Sequence, residues 1–247
     1  ALSGGGGDDT AAKPKPTTTT STTAAATTTT TAAPTGPVAP LTGLQVPEQD
    51  ASLLFRTALA VKVDNLDAPG ESAVPQTALP KAVLFDLPAE GTDKNAIVNK
   101  ALANLGKLSP APLASNSLAG SIQAGNYDEH LPLLTDCDVI IEAIAERLDW
   151  KKSLYAKILP FVGPKAILAS NTSGLSINAL SEVLDESLHH RFCGLHFFNP
   201  PRYMHLVELI PCASTDADVM TSLETFLVST LGKGVVYAKD TPNFIGN

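Results

Sequence analysis

The stretch DVIIEAIAERLDWKKSLYAKILPFVGPKAILAS, residues 138–170, decides the fold. It begins with one short apolar run, DVIIEAI (138–144), and closes with another, AILAS (166–170). Runs of this length and composition are typical of strands that are buried on both faces of a parallel sheet. Between them apolar residues recur at every fourth position, which predicts a helix with one apolar face. These residues are Trp150, Leu154, Ile158 and Val162.

The same alternation continues on both sides of this unit. Upstream, KAVLFD (81–86) predicts a strand, residues 94–105 a helix and residues 118–124 a short helix. Downstream, the predicted elements are a helix over 177–184, strands at FCGLHFF (192–198) and HLVELIP (205–211), a helix over 216–231 and a strand at GVVYAKD (234–240). Strands that alternate with helices at this spacing predict an α/β fold with a doubly wound sheet of the Rossmann type.

The beginning of the chain has a different composition. Residues 1–40 are of low complexity and rich in Thr, Ala and Pro. Such a segment buries too little apolar surface to offset the entropy cost of ordering, roughly 1–2 kcal/mol per residue for the backbone, so we expect a disordered tail. A glycosylated Thr/Pro-rich stalk has the same composition, but no secretion signal precedes it. The sequence of residues 41–80 predicts no definite secondary structure. ALAVKV (58–63) could form a short strand, and the three prolines that follow it disfavour a long helix.

The overall composition argues against several classes of function. A net charge of -8 and an isoelectric point near 5.0 do not favour a nucleic-acid partner, because phosphate binding needs clustered Lys and Arg. No apolar run approaches the roughly 20 residues of a membrane span. The three cysteines are scattered, which favours buried free thiols in a reducing compartment over a metal site or a disulfide. We therefore expect a cytoplasmic location, or a mitochondrial or peroxisomal one if the source is eukaryotic.

Open parallel sheets bind ligands at the carboxyl ends of their strands, and polar residues follow several predicted strands here. Asp86 ends a strand, where a carboxylate can accept hydrogen bonds from ribose hydroxyls and select NAD over NADP; an N-cap or a solvated acid is the alternative. Glu146 and Lys151 follow DVIIEAI, and they either bind cofactor hydroxyls or phosphate or are surface charges. The turn NTSG (171–174) either belongs to the site or only caps a helix.

The strongest local signal is HFFNPPRYMHLVELI, residues 196–210. Its two predicted strands are joined by a loop of about seven residues, whereas a parallel crossover needs a dozen or more. We therefore predict antiparallel strands at the C-terminal edge of a mostly parallel sheet, with His196 close to Glu208. A histidine held by a buried carboxylate keeps one tautomer and can take up and return a proton near neutral pH. The alternative is a histidine that only packs in the core.

Four motifs together resemble the 3-hydroxyacyl-CoA dehydrogenases, in the order that this family shows them. They are DVIIEAIAE, SNTSGLSI, GLHFFNPPRYMHLVELI and KDTPNFIGN. LFDLP and LSPAPL look closest to the large bacterial-type versions that are fused to an enoyl-CoA hydratase module. The resemblance spans about residues 81–247. It implies an NAD-binding domain and NAD-dependent oxidation of 3-hydroxyacyl-CoA to 3-oxoacyl-CoA in fatty-acid β-oxidation.

The resemblance also implies a role for individual residues. His196 would be the base that removes the 3-hydroxyl proton, and Glu208 would orient and polarise it. Ser173 and Asn199 would position the substrate oxygen and the nicotinamide end of NAD. Asn247 matches the asparagine at the junction with the family's second domain and would be one of the catalytic residues. The adenosine and ribose side of NAD would be held by Asp86, Ala143, Glu146 and Lys151.

Two departures from the family pattern are visible. The family begins with a strand and a GxGxxG turn, whose glycines let a helix N-terminus approach the pyrophosphate. The matching stretch here, roughly 58–80, contains only Gly70, and the glycines at 4–7 neither follow a strand nor open a helix. The sequence also stops at Asn247, where the family continues into a helical domain that completes the acyl-CoA site and usually forms a dimer. We therefore expect part of the full enzyme, whose first βα unit is lost or replaced.

Two other hypotheses about the function are compatible with the sequence. One is a catalytically inactive remnant that binds a nucleotide or CoA weakly or serves as an interaction module, which the missing glycine loop favours. The other is a dehydrogenase with the same cofactor fold and a short hydroxy-acid substrate, which would not need the HFFNP loop. The set Ser173, His196, Asn199 and Glu208 favours the 3-hydroxyacyl-CoA enzyme.

Overall fold

The computed structural model describes residues 58–62 and 81–246. Within these residues the chain forms one eight-stranded sheet with the strand order β3-β2-β1-β4-β5-β6-β7-β8. The strands are β1 Ala58–Lys62, β2 Lys81–Asp86, β3 Ile122–Asn126, β4 Val139–Glu142, β5 Ile167–Ser170, β6 Phe192–Phe197, β7 Leu206–Pro211 and β8 Gly234–Tyr237. The expected disordered tail, residues 1–40, lies outside the described residues.

The α-helices follow the predicted positions closely. They are α1 Ala96–Leu105, α2 Leu148–Ile158, α3 Ile177–Ser181, α4 Glu186–His189 and α5 Ala217–Thr225, and a π-helix, Phe226–Thr230, continues α5. Short 3-10 helices span Asn116–Ser121, Leu131–Asp136 and Leu159–Phe161. The helix predicted over 118–124 is present only up to Ser121, as the 3-10 helix Asn116–Ser121; its last part is wrong, because residues from Ile122 onward pair with β2 and form β3. Pairing along a sheet edge outweighs the weak local preference of this glycine-containing segment.

The directions of the strands match the predicted fold class. β2 runs parallel to β3, and β4, β5 and β6 run parallel to one another. β7 is antiparallel to β6, as the short loop predicted, and β8 is parallel to β7. The mostly parallel Rossmann-type sheet with antiparallel pairing at its C-terminal edge is therefore confirmed.

The central strand departs from the usual Rossmann arrangement. The first six strands take the order 3-2-1-4-5-6 of that fold, and the short strand anticipated near 58–63 lies in the middle as β1. However, β1 runs antiparallel to both of its neighbours, β2 and β4. Ala58 pairs with Phe85, so the amino end of β1 lies where β2 and β4 have their carboxyl ends.

Hydrophobic layers cover both faces of the sheet. One layer packs Leu154 and Ile158 of α2 and Leu180 of α3 against strand residues such as Leu168. The other packs α5 against the residues that alternate with these, including Ile167. The central strands β4 and β5 are buried on both sides, and β6 and β7 nearly so, which explains their continuous apolar sequences.

The three cysteines, Cys137, Cys193 and Cys212, are free and buried, as predicted. Burial raises the pKa of Cys193 to about 12, so its thiol stays protonated near neutral pH. In the part of the chain that the structure describes, no helix is long and apolar enough to cross a membrane.

Candidate active site

Polar residues gather at one edge of the sheet, where β2, β4, β5 and β6 end. These strands share one direction, so their carboxyl ends share the edge at which open α/β sheets bind ligands. Asp86 ends β2, Glu142 ends β4 and Ser170 ends β5. His196 lies one residue before the end of β6. The structure thus places these polar strand ends along one edge of the sheet.

His196 and Glu208 face each other across β6 and β7. They are register partners, and Nδ1 of His196 lies 2.7 Å from Oε2 of Glu208. Their relative exposures are 4% and 0%, so the pair is shielded from water. Because an ionised carboxylate only accepts hydrogen bonds, this contact assigns a proton to Nδ1 and leaves Nε2 as an acceptor. The predicted proximity of the two side chains is confirmed.

The surroundings of this pair hold both members in place. The second oxygen of Glu208, Oε1, accepts hydrogen bonds from the backbone N–H groups of Ile245 and Gly246, at 3.0 and 2.9 Å. The rings of Phe198 and Phe244 pack on the imidazole of His196, with centroid distances of 4.7 and 5.7 Å. Both oxygens of the buried carboxylate are thus satisfied, which its burial requires.

The turn after β5 is organised by Glu146. Its Oε1 accepts a hydrogen bond from the N–H of Ser173 at 2.7 Å, and its Oε2 accepts one from Oγ1 of Thr172 at 2.5 Å. Asn171 connects the same turn to the end of β6, because its Oδ1 accepts from the N–H of Phe197 at 2.9 Å. Glu146 therefore holds the turn that carries Ser173, and Ser173 itself is half-buried.

The other predicted residues lie at or near the same edge. Oδ1 of Asp86, which is buried, accepts a hydrogen bond from the N–H of Leu87 at 2.7 Å. Ala143 directly follows β4 and is half-buried, and Asn199 is exposed in the loop between β6 and β7. Asn247 lies outside the described residues.

Lys151 requires a correction. It was expected either to hold NAD or to lie on the surface, but its side chain is completely buried. Its Nζ donates to both carboxylate oxygens of Glu142, at 2.6 and 2.8 Å, and to the carbonyl of Ile144 at 3.4 Å. The charge is neutralised and enclosed inside the protein, so in this structure Lys151 supports the ends of the strands and does not meet a ligand.

Glu142 is the centre of a buried polar cluster. Besides Lys151, its Oε2 accepts hydrogen bonds from Tyr155 Oη at 2.9 Å and Ser170 Oγ at 2.8 Å, and its Oε1 accepts from the N–H of Ile144 at 2.7 Å. Burial and the neighbouring Glu142 carboxylate raise the pKa of Tyr155 well above its ordinary value. The tyrosine therefore stays a neutral hydrogen-bond donor. The cluster joins β4, α2 and β5 beneath the site.

Asp240, in the DTPNF motif, caps α3. Its carboxylate accepts hydrogen bonds from Ser176 Oγ, from the N–H groups of Ile177 and Asn178 and from Asn178 Nδ2, at 2.6 to 2.9 Å. Burial opposes ionisation of Asp240, but these hydrogen bonds outweigh it and lower the pKa of the carboxyl below its ordinary value. The segment after β8 is thereby fixed to the turn that carries Ser173.

The contacts that Glu142, Asp240 and Phe244 make around the site were not predicted from the sequence. Glu142 gave the clearest signal, because an acid inside a strand that is buried on both faces requires a partner. Lys151, nine residues later, is that partner. Asp240 and Phe244 gave no comparable local signal, since their partners are 62 to 64 and 48 positions away in the chain, respectively.

The described residues include candidates for binding the two ends of a dinucleotide but not its pyrophosphate. Asp86 ends β2 at one side of this edge, where a carboxylate was expected to meet the ribose, and the His196–Glu208 pair lies at the other side. Within residues 58–62 and 81–246, no glycine-rich loop leads from the central strand into a helix at this edge, because β1 has its amino end there. The part that would receive the pyrophosphate thus differs from the usual arrangement.

Comparison with known proteins agrees with this geometry. Residues 84–241 match the family model described as "3-hydroxyacyl-CoA dehydrogenase, NAD binding domain". A Rickettsia felis protein named as a fatty acid oxidation complex trifunctional enzyme is 45% identical over 168 residues, which are 68% of this chain and 23% of that protein. A Deinococcus radiodurans protein named as a 3-hydroxyacyl-CoA dehydrogenase is 41% identical over 155 residues, 63% of this chain and 45% of that protein. The chain thus spans less than half the length of either relative.

Solved structures give the same picture. FadB2 of M. tuberculosis is 30% identical, with a TM-score of 0.56, and the match covers 67% of this chain and 57% of that one. The 3-hydroxybutyryl-CoA dehydrogenase of Escherichia coli K12 is also 30% identical, with a TM-score of 0.53, over 66% of this chain and 34% of that one. In both cases the similarity covers about two thirds of this chain.

Proposed function

The chain belongs to the 3-hydroxyacyl-CoA dehydrogenase family through its NAD-binding domain, and we propose that it takes part in the NAD-dependent oxidation of a 3-hydroxyacyl-CoA to the 3-oxoacyl-CoA. The observation that carries this proposal is the buried hydrogen bond of 2.7 Å between His196 and Glu208. It supplies a proton acceptor, Nε2, at the edge of the sheet where the family's cofactor binds.

In this proposal His196 takes the proton of the 3-hydroxyl group. NAD, when bound, supplies the acceptor for the hydride that leaves C3. As the C3–H and O–H bonds break and the carbonyl forms, Nε2 receives the hydroxyl proton and the imidazole becomes positively charged. Glu208 stabilises that charge across the bond to Nδ1 and fixes the orientation of the ring.

Other residues contribute to binding. Ser173, held by Glu146, and Asn199 are the candidates for positioning the substrate oxygen and the nicotinamide end. Asp86 is the candidate acceptor for the adenine ribose hydroxyls, with Ala143 and Glu146 beside it along the edge. An acyl-CoA fits this assignment as the substrate.

A second candidate is a member of the family that has lost catalysis and binds a nucleotide or CoA only weakly. The reversed central strand favours it, because the backbone N–H groups that cradle a pyrophosphate normally follow that strand. The two proposals differ in whether His196 can support turnover when a complete cofactor site is supplied.

A chimaera tests this difference. Residues 84–241 replace the matching segment of the Deinococcus radiodurans relative, and NADH formation from 3-hydroxybutyryl-CoA is followed by absorbance. Turnover that is abolished by His196→Gln supports the proposed function. A folded chimaera without turnover supports the inactive alternative. The unaltered chain is assayed in parallel because the chimaera lacks β1: if only the chimaera turns over, the loss of activity lies at β1 and not at the His196–Glu208 pair.

A further inference from the structure

The segment Asp240–Gly246, here called the strap, lies against the site at several points. Asp240 anchors its first end to α3 through Ser176, Ile177 and Asn178. At its other end, the N–H groups of Ile245 and Gly246 bond to Glu208.

The middle of the strap turns sharply over His196. Asn243 and Phe244 have φ angles of 62° and 51°, in the left-handed region that side chains other than glycine rarely adopt. This turn, closed by the N–H of Phe244 donating to the carbonyl of Thr241 at 2.9 Å, brings the Phe244 ring to 5.7 Å from the imidazole. A conformation of this kind persists only where surrounding contacts determine it.

The end of the strap lies close to the ring of Phe198. A Cβ atom on Gly246 would lie 2.5 Å from Cζ of Phe198, and the ring of Phe198 itself packs against His196 at an interplanar angle of 54°. A side chain at this position would collide with the ring of Phe198 and displace it. The backbone of the strap, the ring and the imidazole form one continuous contact.

We propose that the strap is a positioning element for the catalytic pair: the N–H groups of Ile245 and Gly246 hold one oxygen of Glu208, which directs the other oxygen to Nδ1 of His196. The last side-chain torsion of a glutamate, χ3, has only a weak rotational preference, so the carboxylate needs such contacts to keep one orientation. Fixed in this way, Glu208 keeps the imidazole proton on Nδ1 and leaves Nε2 ready to accept the substrate proton. The catalytic meaning of this inference rests on the proposed function.

The isosteric variant Glu208→Gln tests the proposal without any turnover. A glutamine has one acceptor, the oxygen, and one donor, the NH2 group. If the strap sets the orientation, the oxygen turns to the two N–H groups and the NH2 group faces Nδ1. The proton of His196 then moves to Nε2. If the strap exerts no control, the oxygen faces His196 and Nδ1 keeps its proton.

The tautomer is read from the two ring nitrogens of His196 in long-range 1H–15N NMR spectra of the labelled chain, assigned with His196→Gln. We expect Nδ1–H in the unaltered chain and Nε2–H in Glu208→Gln. Nδ1–H in Glu208→Gln, or Nε2–H in the unaltered chain, overturns the proposal. Because no substrate is present, these results are independent of the outcome of the chimaera assay.

Gly246→Ala provides a second test, with Gly120→Ala as the matched control because a Cβ at Gly120 meets no atom within 4 Å. We expect Gly246→Ala to increase amide exchange at residues 245 and 246 and to give a mixture of His196 tautomers, whereas Gly120→Ala changes neither. Faster exchange with an unchanged Nδ1–H tautomer contradicts the proposal. If Gly246→Ala does not fold, Glu208→Gln alone decides.

Discussion

Lys151 places its ammonium group between both carboxylate oxygens of Glu142, at 2.6 and 2.8 Å, with neither side chain exposed to solvent. Two charges inside a protein lose their hydration, and only their mutual contact and further hydrogen bonds compensate for that loss. The pair therefore has little net stabilising effect compared with apolar residues, but removal of one partner leaves the other charge buried and unpaired.

The first prediction concerns this pair. Lys151→Met should lower the free energy of unfolding by about 3–5 kcal/mol, because Glu142 loses its counter-ion. The double variant Glu142→Gln/Lys151→Met should recover most of this loss, since glutamine still accepts from Tyr155 or Ser170. Urea denaturation measures both variants. Lys152→Met, at an exposed neighbouring position, is the control and should change the stability by less than about 0.5 kcal/mol.

The second prediction concerns the catalytic pair in the chimaera. His196→Gln should lower kcat by at least about 10²-fold, the smaller end of what general base catalysis contributes, with little change in NAD affinity. Glu208→Gln should also lower kcat, because the imidazolium formed in the reaction loses its neutralising charge. Steady-state kinetics and calorimetry separate the two effects. Near-normal turnover by His196→Gln would mean that His196 is only a packed core residue.

The third prediction concerns NAD binding by the chain itself. Because the amino end of β1 lies at the ligand edge, the usual helix N-terminus for the pyrophosphate does not follow that strand. We expect NAD to bind weakly or not measurably in isothermal titration calorimetry. A dissociation constant in the low micromolar range would show that another segment replaces the phosphate loop.

The fourth prediction concerns pH. The folded-state pKa of Asp240 is lowered, so its ionised form is bound more tightly by the folded protein than by the unfolded one. Its stabilising effect is complete above the unfolded pKa of about 3.9 and is lost as the pH falls through the folded value.

Asp240→Asn should therefore lower the free energy of unfolding by about 1 kcal/mol near neutral pH, and the difference from the unaltered chain should shrink in acid. Denaturation at a series of pH values measures it. Glu90→Gln, at an exposed position, serves as the control. A difference that stays constant into acid would mean that the charge of Asp240 has no part in capping α3.

Much of the fold could be predicted because the central strands, β4 to β7, are short and buried on both faces. Such strands have continuous apolar sequences, and AILAS and FCGLHFF are recognisable for that reason. The His196–Glu208 contact could also be predicted, because the short loop between the two strands, residues 198–205 in the structure, permits only antiparallel pairing. The register then follows from the spacing along the two strands.

Other features depend on contacts that no local pattern encodes. A lysine in the first turns of a helix normally reaches solvent, so the burial of Lys151 becomes apparent only when Glu142 lies beneath it. The direction of β1 is not encoded in ALAVK, because a short apolar strand has the same pattern in either direction. The contacts of the strap join residues 37 to 64 positions apart, including Ile245 with Glu208.

The position of β1 has a consequence for how the sheet holds together. In the described sheet, β2 and β3 with Asp86 are connected by strand pairing to β4 and the strands beyond it only through the five residues Ala58–Lys62. Proteins open in cooperative units whose boundaries follow the weakest connections between elements. The sheet therefore has one narrow seam of strand pairing, and the two parts on either side of it are also held together by the core in which Val83 and Phe85 of β2 pack with Leu154 and Leu168.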